Sequence, residues 1–391
     1  MLDVAGRTAS ARQRRLVLRR PDPPTVIRAV VVVAIVLFSL LGLPQLLSAY
    51  YVDAMTQVAV YAMVALGLGV LVGRVGLVSL GQVAVLAIGA WSAARLLFGT
   101  AQPFPLVLLE AGLVTMVLGT ALLLPALRLR GLYLALITLM LAGAVTVVLA
   151  TLNFPNGGRG FSGYNGNQQH IPPIRRPSIA LSDAAYFRYA VIVAAVMFAL
   201  VAIHIRTRPG RAWAAIRQSE PAALAAGINT TLYKLWAVAL ASFVTGVAGG
   251  VMAGAVHYLY SIDFPAYTSI TILAVVLMGG AYSLWGAIVA GLLMQLLPAL
   301  LQNWGVSNDW LTILFGIGVI QVLTTAPRGL ADQFPKDMTR LGRLLVRLVR
   351  RTSRVPAAPP APAAAAGSAS AAGSASAAGS AAASAVDGEA S

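Results

Sequence analysis

Long apolar runs separated by short polar turns organise the chain. A helix needs about 20 apolar residues to cross the hydrocarbon core of a bilayer. The stretches that meet or approach this length are 28–47, 53–72, 77–98, 104–127, 131–152, 187–205, 234–257, 266–281, 284–301 and 309–326. The pattern predicts an all-α, polytopic membrane protein with about ten transmembrane helices. The eighth and ninth come from one continuous apolar stretch. It divides at Gly279-Gly280-Ala281-Tyr282-Ser283, where two glycines weaken a helix and a Tyr–Ser pair suits an interface, so these two are the spans expected to be broken or half-length.

The polar segments complete the organisation. Residues 1–27 form a basic arm and residues 28–333 the membrane domain, with an outer loop at 153–186 and a cytoplasmic segment at 206–234. The outer loop is rich in Gly, Asn and Pro and longer than most connections. Residues 334–354 place Arg340, Arg343, Arg347 and Arg350 at three- and four-residue steps, with Leu341, Leu344, Leu345 and Leu348 on another face. This predicts a basic amphipathic helix lying on an anionic leaflet. Residues 355–391 are almost entirely Ala, Ser, Gly and Pro, a composition that builds no core and predicts a disordered tail. The first apolar run, at 28–47, exceeds a signal-peptide core and reads as a retained span.

Composition agrees with the pattern. Charged residues make up 10% of the chain, against about 25% in a soluble globular domain. Lys and Arg number 28 and Asp and Glu 12, for a net charge of +16 and a pI near 11.0. A pI this high suggests nucleic-acid binding, but here the charges punctuate apolar runs instead of covering a soluble surface. Sorted by side, they follow the positive-inside rule. With the basic arm in the cytoplasm, every Lys and Arg lies on the cytoplasmic side except Arg95, Arg159, Arg175, Arg176 and Arg188. Both termini are then cytoplasmic, and the location is the cytoplasmic (inner) membrane. The basic residues are nearly all Arg, with Lys only at 234 and 336, which reads as compositional bias and not as mechanism.

Much chemistry is missing. There is no cysteine, and the three histidines, His170, His204 and His257, have no metal-ligand spacing. The chain has no Walker A loop, zincin motif or nucleophile elbow, so neither an enzyme nor a metal site is expected. Glu110 is the one acid well within a predicted span, about two turns from its outer end. A stand-alone proton-coupled carrier usually needs carboxylates or histidines deep in its path, and their lack argues against that reading.

Three stretches carry more information. The first, 65–90, spaces Gly67, Gly69, Gly73, Gly76, Gly81 and Gly89 around the polar Ser79 and Gln82, for close helix packing or a backbone break at membrane depth. The second, 206–234, is too polar to span. Arg208-Pro209-Gly210 reads as a turn, 212–218 as a helix exposing Arg211 and Arg217, and Glu220-Pro221-Ala222-Ala223 as a second helix ending at Gly227. Such an element suits docking of a soluble partner. The third, 278–291, repeats small residues at Gly279, Gly280, Gly286, Ala287, Ala290 and Gly291.

In this order, with Arg130-Gly131-Leu132-Tyr133 between the first two and Ala326-Pro327-Arg328-Gly329-Leu330 at the end, the stretches resemble the permease subunits of branched-chain amino-acid ABC importers, the LivM-type subunit in particular. The resemblance covers about residues 53–333. It implies translocation of branched-chain amino acids by alternating access, driven by separate ATPase subunits that use the ATP, with no cofactor on this chain. It implies as partners a second related permease subunit, two cytoplasmic ABC ATPases and an extracytoplasmic substrate-binding protein, and no nucleic acid. The coupling residues it implies are Arg211, Arg217, Glu220, Ala222, Ala223 and Gly227. Residues at the pathway or at tight helix contacts are Gly73, Gly76, Ser79, Gly81, Gln82, Gly279, Gly280, Ser283 and Gly286. The chain departs from the family at Pro221, inserted after Glu220, at Tyr282, where the family often has glycine, and at Gly157-Gly158-Arg159-Gly160, a loose match to a glycine-rich loop. Urea, short amides or other amino acids are alternative substrates. A stand-alone carrier or channel is the rival class.

Overall fold

The computed structural model describes residues 34, 36–129, 131–153, 161, 163, 174–256, 258–305, 310, 313, 316–318 and 320. All of them lie in the first of two compact units, residues 1–339. The basic arm, the start of the first predicted span, most of the tenth, most of the outer loop, the amphipathic helix and the tail fall outside the described residues.

Among the described residues, eight helical stretches are long and apolar enough to cross a membrane. They are α1 (Ala49–Val75), α2 (Gln82–Gly99), α3 (Phe104–Leu123), α4 (Leu132–Thr151), α5 (Asp183–Arg206), α8 (Thr230–Ala255), α9 (Ser261–Gly279) and α10 (Leu284–Asn303). Between α5 and α8 lie two shorter helices, α6 (Arg208–Gln218) and α7 (Glu220–Ala225). The chain is thus a polytopic all-α membrane protein, and the second to ninth predicted spans each correspond to one helix.

Burial sorts these helices into a core and a shell. The most apolar windows of α1 and α8 are 83% buried and that of α2 78%, while α10 is 28% buried. The central helix is α8, packed on α1, α2 and α3, with α5 and α10 also packed against α1. Small residues make this possible. A Cβ on Gly89 of α2 would lie 2.4 Å from the Gly246 carbonyl oxygen of α8, and one on Gly249 would lie 2.4 Å from the Leu86 oxygen. The two helices therefore pass backbone against backbone, the close approach that drives association where lipid supplies no hydrophobic effect.

Two boundaries differ from the expectation. The span expected over 77–98 becomes helical only at Gln82. Upstream, α1 widens into a π-helical turn, Val70–Val75, and stops at Gly76, whose φ of 85° suits glycine. Residues 77–81 are then non-helical, though apolar enough to read as helix. The Arg208-Pro209-Gly210 stretch, expected as a turn, is the first turn of α6. Proline is tolerated there because the amide it lacks has no intrahelical acceptor.

Candidate functional site

The segment between α5 and α8 is built by local capping. Ser219 accepts a hydrogen bond from the Ala222 amide (3.3 Å) and starts α7. At its end the Ile228 amide returns to the Ala223 carbonyl (3.0 Å), with Gly227 at φ 77° between them, as in a Schellman cap. Asn229 Oδ1 then accepts from the Leu232 amide (3.1 Å) and starts α8.

Three joints hold this element to the membrane helices. Trp213, fully buried, donates from Nε1 to the Tyr233 carbonyl at 2.8 Å, with Ala212 and Ile216 buried on the same face of α6. Glu220 accepts from Lys234 in the first turn of α8, Nζ to Oε1 2.5 Å. Pro221 does not disturb this pairing, because it occupies the first turn of α7. Arg217 donates from Nη1 to the Gly73 carbonyl and stacks its guanidinium over the Tyr282 ring, 4.2 Å from the centroid.

The residues expected to couple therefore divide. Arg211, Ala222 and Gly227 are exposed, whereas Ala223 is buried and Glu220 is tied to α8. Arg217 is exposed, as expected, and its head group also turns back onto α1 and the α9–α10 turn. Leu224, 55% exposed at the tip of α7 among exposed alanines, was not singled out in the sequence. An apolar side chain of this size on an otherwise basic surface is its only sequence signal.

The glycine-block residues fall into two groups. Gly279, Gly280, Ser283 and Gly286 make the reversal between α9 and α10. Gly280 takes φ 108°, Ser283 Oγ accepts from the Gly286 amide at 2.9 Å, and a Cβ on Gly279 would lie 2.4 Å from the Gly286 oxygen. This turn abuts Gly73, where a Cβ would fall 1.8 Å from the Ala281 oxygen. A small cavity with room for about one water opens beside it, lined by Leu66, Gly69, Arg74, Ile205, Gly280 and Tyr282.

Ser79, Gly81 and Gln82 form a separate buried polar seam at the start of α2. Thr138 of α4 accepts from the Leu80 amide (2.9 Å), Ser79 from the Gly81 amide (3.3 Å) and Ser269 of α9 from the Val83 amide (3.3 Å). Thr245 of α8 donates to Gln82 Oε1 (3.2 Å). These side chains satisfy a backbone break that would otherwise expose unpaired amides at membrane depth. The seam joins α2 to α4, α8 and α9 at one point.

The opposite ends of the helices are tied differently. Arg176 donates to the Gly254 and Ala255 carbonyls at the end of α8 (3.1 and 3.3 Å) and pairs with Asp183 of α5 at 2.6 Å. Tyr186, beneath it, donates to the Val251 carbonyl at 2.6 Å. Glu110 is half-buried on α3 beside the exposed Leu109 and Leu113.

Comparison with known proteins decides among transporter classes. The family described as "Branched-chain amino acid transport system / permease component" matches residues 50–323, a stretch that contains every joint described above. The chain belongs to that family. It is therefore a multi-pass permease component of a transport system. The chain is 30% identical over 305 residues to the high-affinity branched-chain amino acid transport system permease protein LivM of Salmonella typhimurium, covering 73% of this chain and 71% of that protein. To LivM of Escherichia coli it is 29% identical over 334 residues, covering 81% and 78%. No solved structure matches the chain significantly. The permease's matched region excludes the basic arm and the tail, consistent with the extent of the resemblance.

Proposed function

We propose that this permease component is the membrane-spanning subunit of an ABC importer that moves branched-chain amino acids across the cytoplasmic membrane by alternating access. A second related permease subunit completes the pathway, two cytoplasmic ATPases drive it, and an extracytoplasmic binding protein delivers the substrate. The observation that carries the reading is the α6–α7 element. It connects the peripheral α5 to the core helix α8, presents Arg211, Ala222, Leu224 and Gly227 outward, and is fixed inward by Trp213, Arg217 and Glu220. A surface that is polar and apolar by turns and rigidly backed suits the transfer of force from a soluble partner.

Force applied to α7 passes through Glu220 and Lys234 directly into α8. At 1.5 Å per residue its 26 residues extend about 39 Å, a full bilayer crossing. Its far end is held by Arg176 and Tyr186 on the side where the binding protein docks. One helix thus links both faces. The branched-chain substrate class rests on the names of the two relatives.

The test is the assembled complex with Arg211→Glu and Leu224→Asp, neither of which touches the inward joints. Both changes should abolish co-purification of the ATPases and binding-protein-stimulated ATP hydrolysis, while the permease remains monodisperse. Unaltered ATPase recovery with both substitutions would remove the coupling assignment.

A further inference from the structure

Three elements distant in the sequence meet at one side chain. Arg217 lies in the last turn of α6. Its stem passes Gly76 at ordinary contact distance, 3.7 Å from where a Cβ would sit, and its guanidinium reaches both the Gly73 carbonyl and the Tyr282 ring. Gly73 belongs to the final π-helical turn of α1, Val70–Val75, where carbonyls have run out of following amides. Arg217 therefore caps α1 from another helix and sets a cation at the negative end of its dipole. The α9–α10 turn presses on the same residue, with the Ala281 oxygen in the space a Gly73 side chain would need.

The nature of this contact distinguishes it from the rest of the core. Elsewhere α1, α2 and α8 are joined by apolar surface, glycine crossings and the buried Gln82–Thr245 bond, which separate only at the cost of packing or of a buried hydrogen bond. Here a polar group at the surface of a peripheral helix reaches the end of a core helix. Water can replace its hydrogen bond when it leaves.

The geometry points to Arg217 and Tyr282 as the positioning pair that carries motion of α6–α7 into the membrane. The guanidinium holds the inner end of α1 and the α9–α10 turn in one register, and displacement of α6 releases both. This rests on the importer reading, in which the ATPases move α6–α7. Only a planar guanidinium can stack on a ring and bond a carbonyl in the same pose, so lysine does not substitute.

The experiment uses the complete complex in proteoliposomes, with Arg217→Lys, Tyr282→Leu and Tyr282→Phe. Three quantities are read: leucine transported per ATP hydrolysed, ATPase co-purification, and amide hydrogen exchange over residues 70–77. Arg217→Lys and Tyr282→Leu should each lower the transport-to-hydrolysis ratio about fivefold and speed exchange over 70–77, with the ATPases still bound. Tyr282→Phe keeps the ring and should stay within about twofold of wild type. A wild-type ratio in both Arg217→Lys and Tyr282→Leu overturns the proposal, even if exchange rises, because the pair is then only structural. A wild-type chain that recruits no ATPase refutes the importer reading and this inference with it.

Discussion

Alanine at Gly89 and alanine at Gly143 are the same substitution inside two membrane-spanning helices, yet opposite outcomes are expected. In an unobstructed helix the change helps by about 1 kcal/mol, because glycine has more freedom to lose. Gly143 in α4 is unobstructed, since its Cβ would meet Ala266 Cβ at 3.9 Å, an ordinary contact. Gly89 in α2 is not. Its Cβ would lie 2.4 Å from the Gly246 oxygen and 2.6 Å from its Cα, both backbone atoms that cannot swing aside. The helices must part by about 1 Å to restore ordinary spacing, and a gap of that size forfeits a quarter to a half of each dispersion contact along the crossing. Nor can α8 retreat freely, because Thr115 of α3 already closes on Gly246 from its other side, 2.5 Å from a Cβ there. Overpacking of this kind costs about 1–3 kcal/mol, which outweighs the helix gain. Gly89→Ala should therefore lower the apparent melting temperature in a fixed detergent at a fixed heating rate, and Gly143→Ala should leave it unchanged or raise it. A Gly89→Ala protein that melts as high as the Gly143→Ala protein would refute the backbone crossing of α2 and α8.

Two further joints can be probed. Glu220→Gln strands the Lys234 ammonium at the positive N-terminal end of α8 and should cost about 1–2 kcal/mol, seen as faster amide exchange over residues 220–227. Adding Lys234→Gln should recover part of that loss, and full additivity of the two changes would deny the pairing. Arg176→Ala removes the bonds to Gly254, Ala255 and Asp183, so residues 174–182 should exchange and be cleaved faster while α6 keeps its protection. Arg176→Lys should rescue little, because one ammonium cannot match the planar fork.

The spans were legible because a bilayer imposes a length and an apolar composition on each crossing. The end of α7 at Gly227 was legible for a different reason. Its cap acts on amides and carbonyls within a few residues, so the chemistry is written locally; the caps at Ser219 and Asn229 are equally local but were not singled out. The non-helical stretch at 77–81 was not legible. Its amides are satisfied by Thr138 and Ser269, which belong to α4 and α9 and leave no mark in the local pattern. The direction of Arg217 was hidden likewise. Helical spacing places its Cα on the surface of α6, but a side chain this long follows its partners, and Gly73 and Tyr282 come from elsewhere in the chain.

The near-exclusive use of arginine, which the sequence presents as compositional bias, has a structural reason at four positions. Arg95 donates to the Leu152 and Asn153 carbonyls at the end of α4, Arg176 to Gly254 and Ala255 at the end of α8, Arg188 to Leu40 and Arg217 to Gly73. The acceptors of Arg95, Arg176 and Arg217 lie in the last turn of a helix or just beyond it, where carbonyls lack intrahelical donors and the dipole is negative. Near a bilayer such groups find less water than in a soluble protein, so the cost of leaving them bare rises. A guanidinium spans two successive carbonyls with its fork, as Arg95 and Arg176 do, and an ammonium does not. Arg95, Arg176 and Arg217 therefore close helix ends as well as carrying charge. Arg95, Arg176 and Arg188 are three of the five arginines expected on the side the positive-inside rule disfavours, and all three are committed to carbonyls. A carbonyl that needs a donor accounts for an arginine at these three positions.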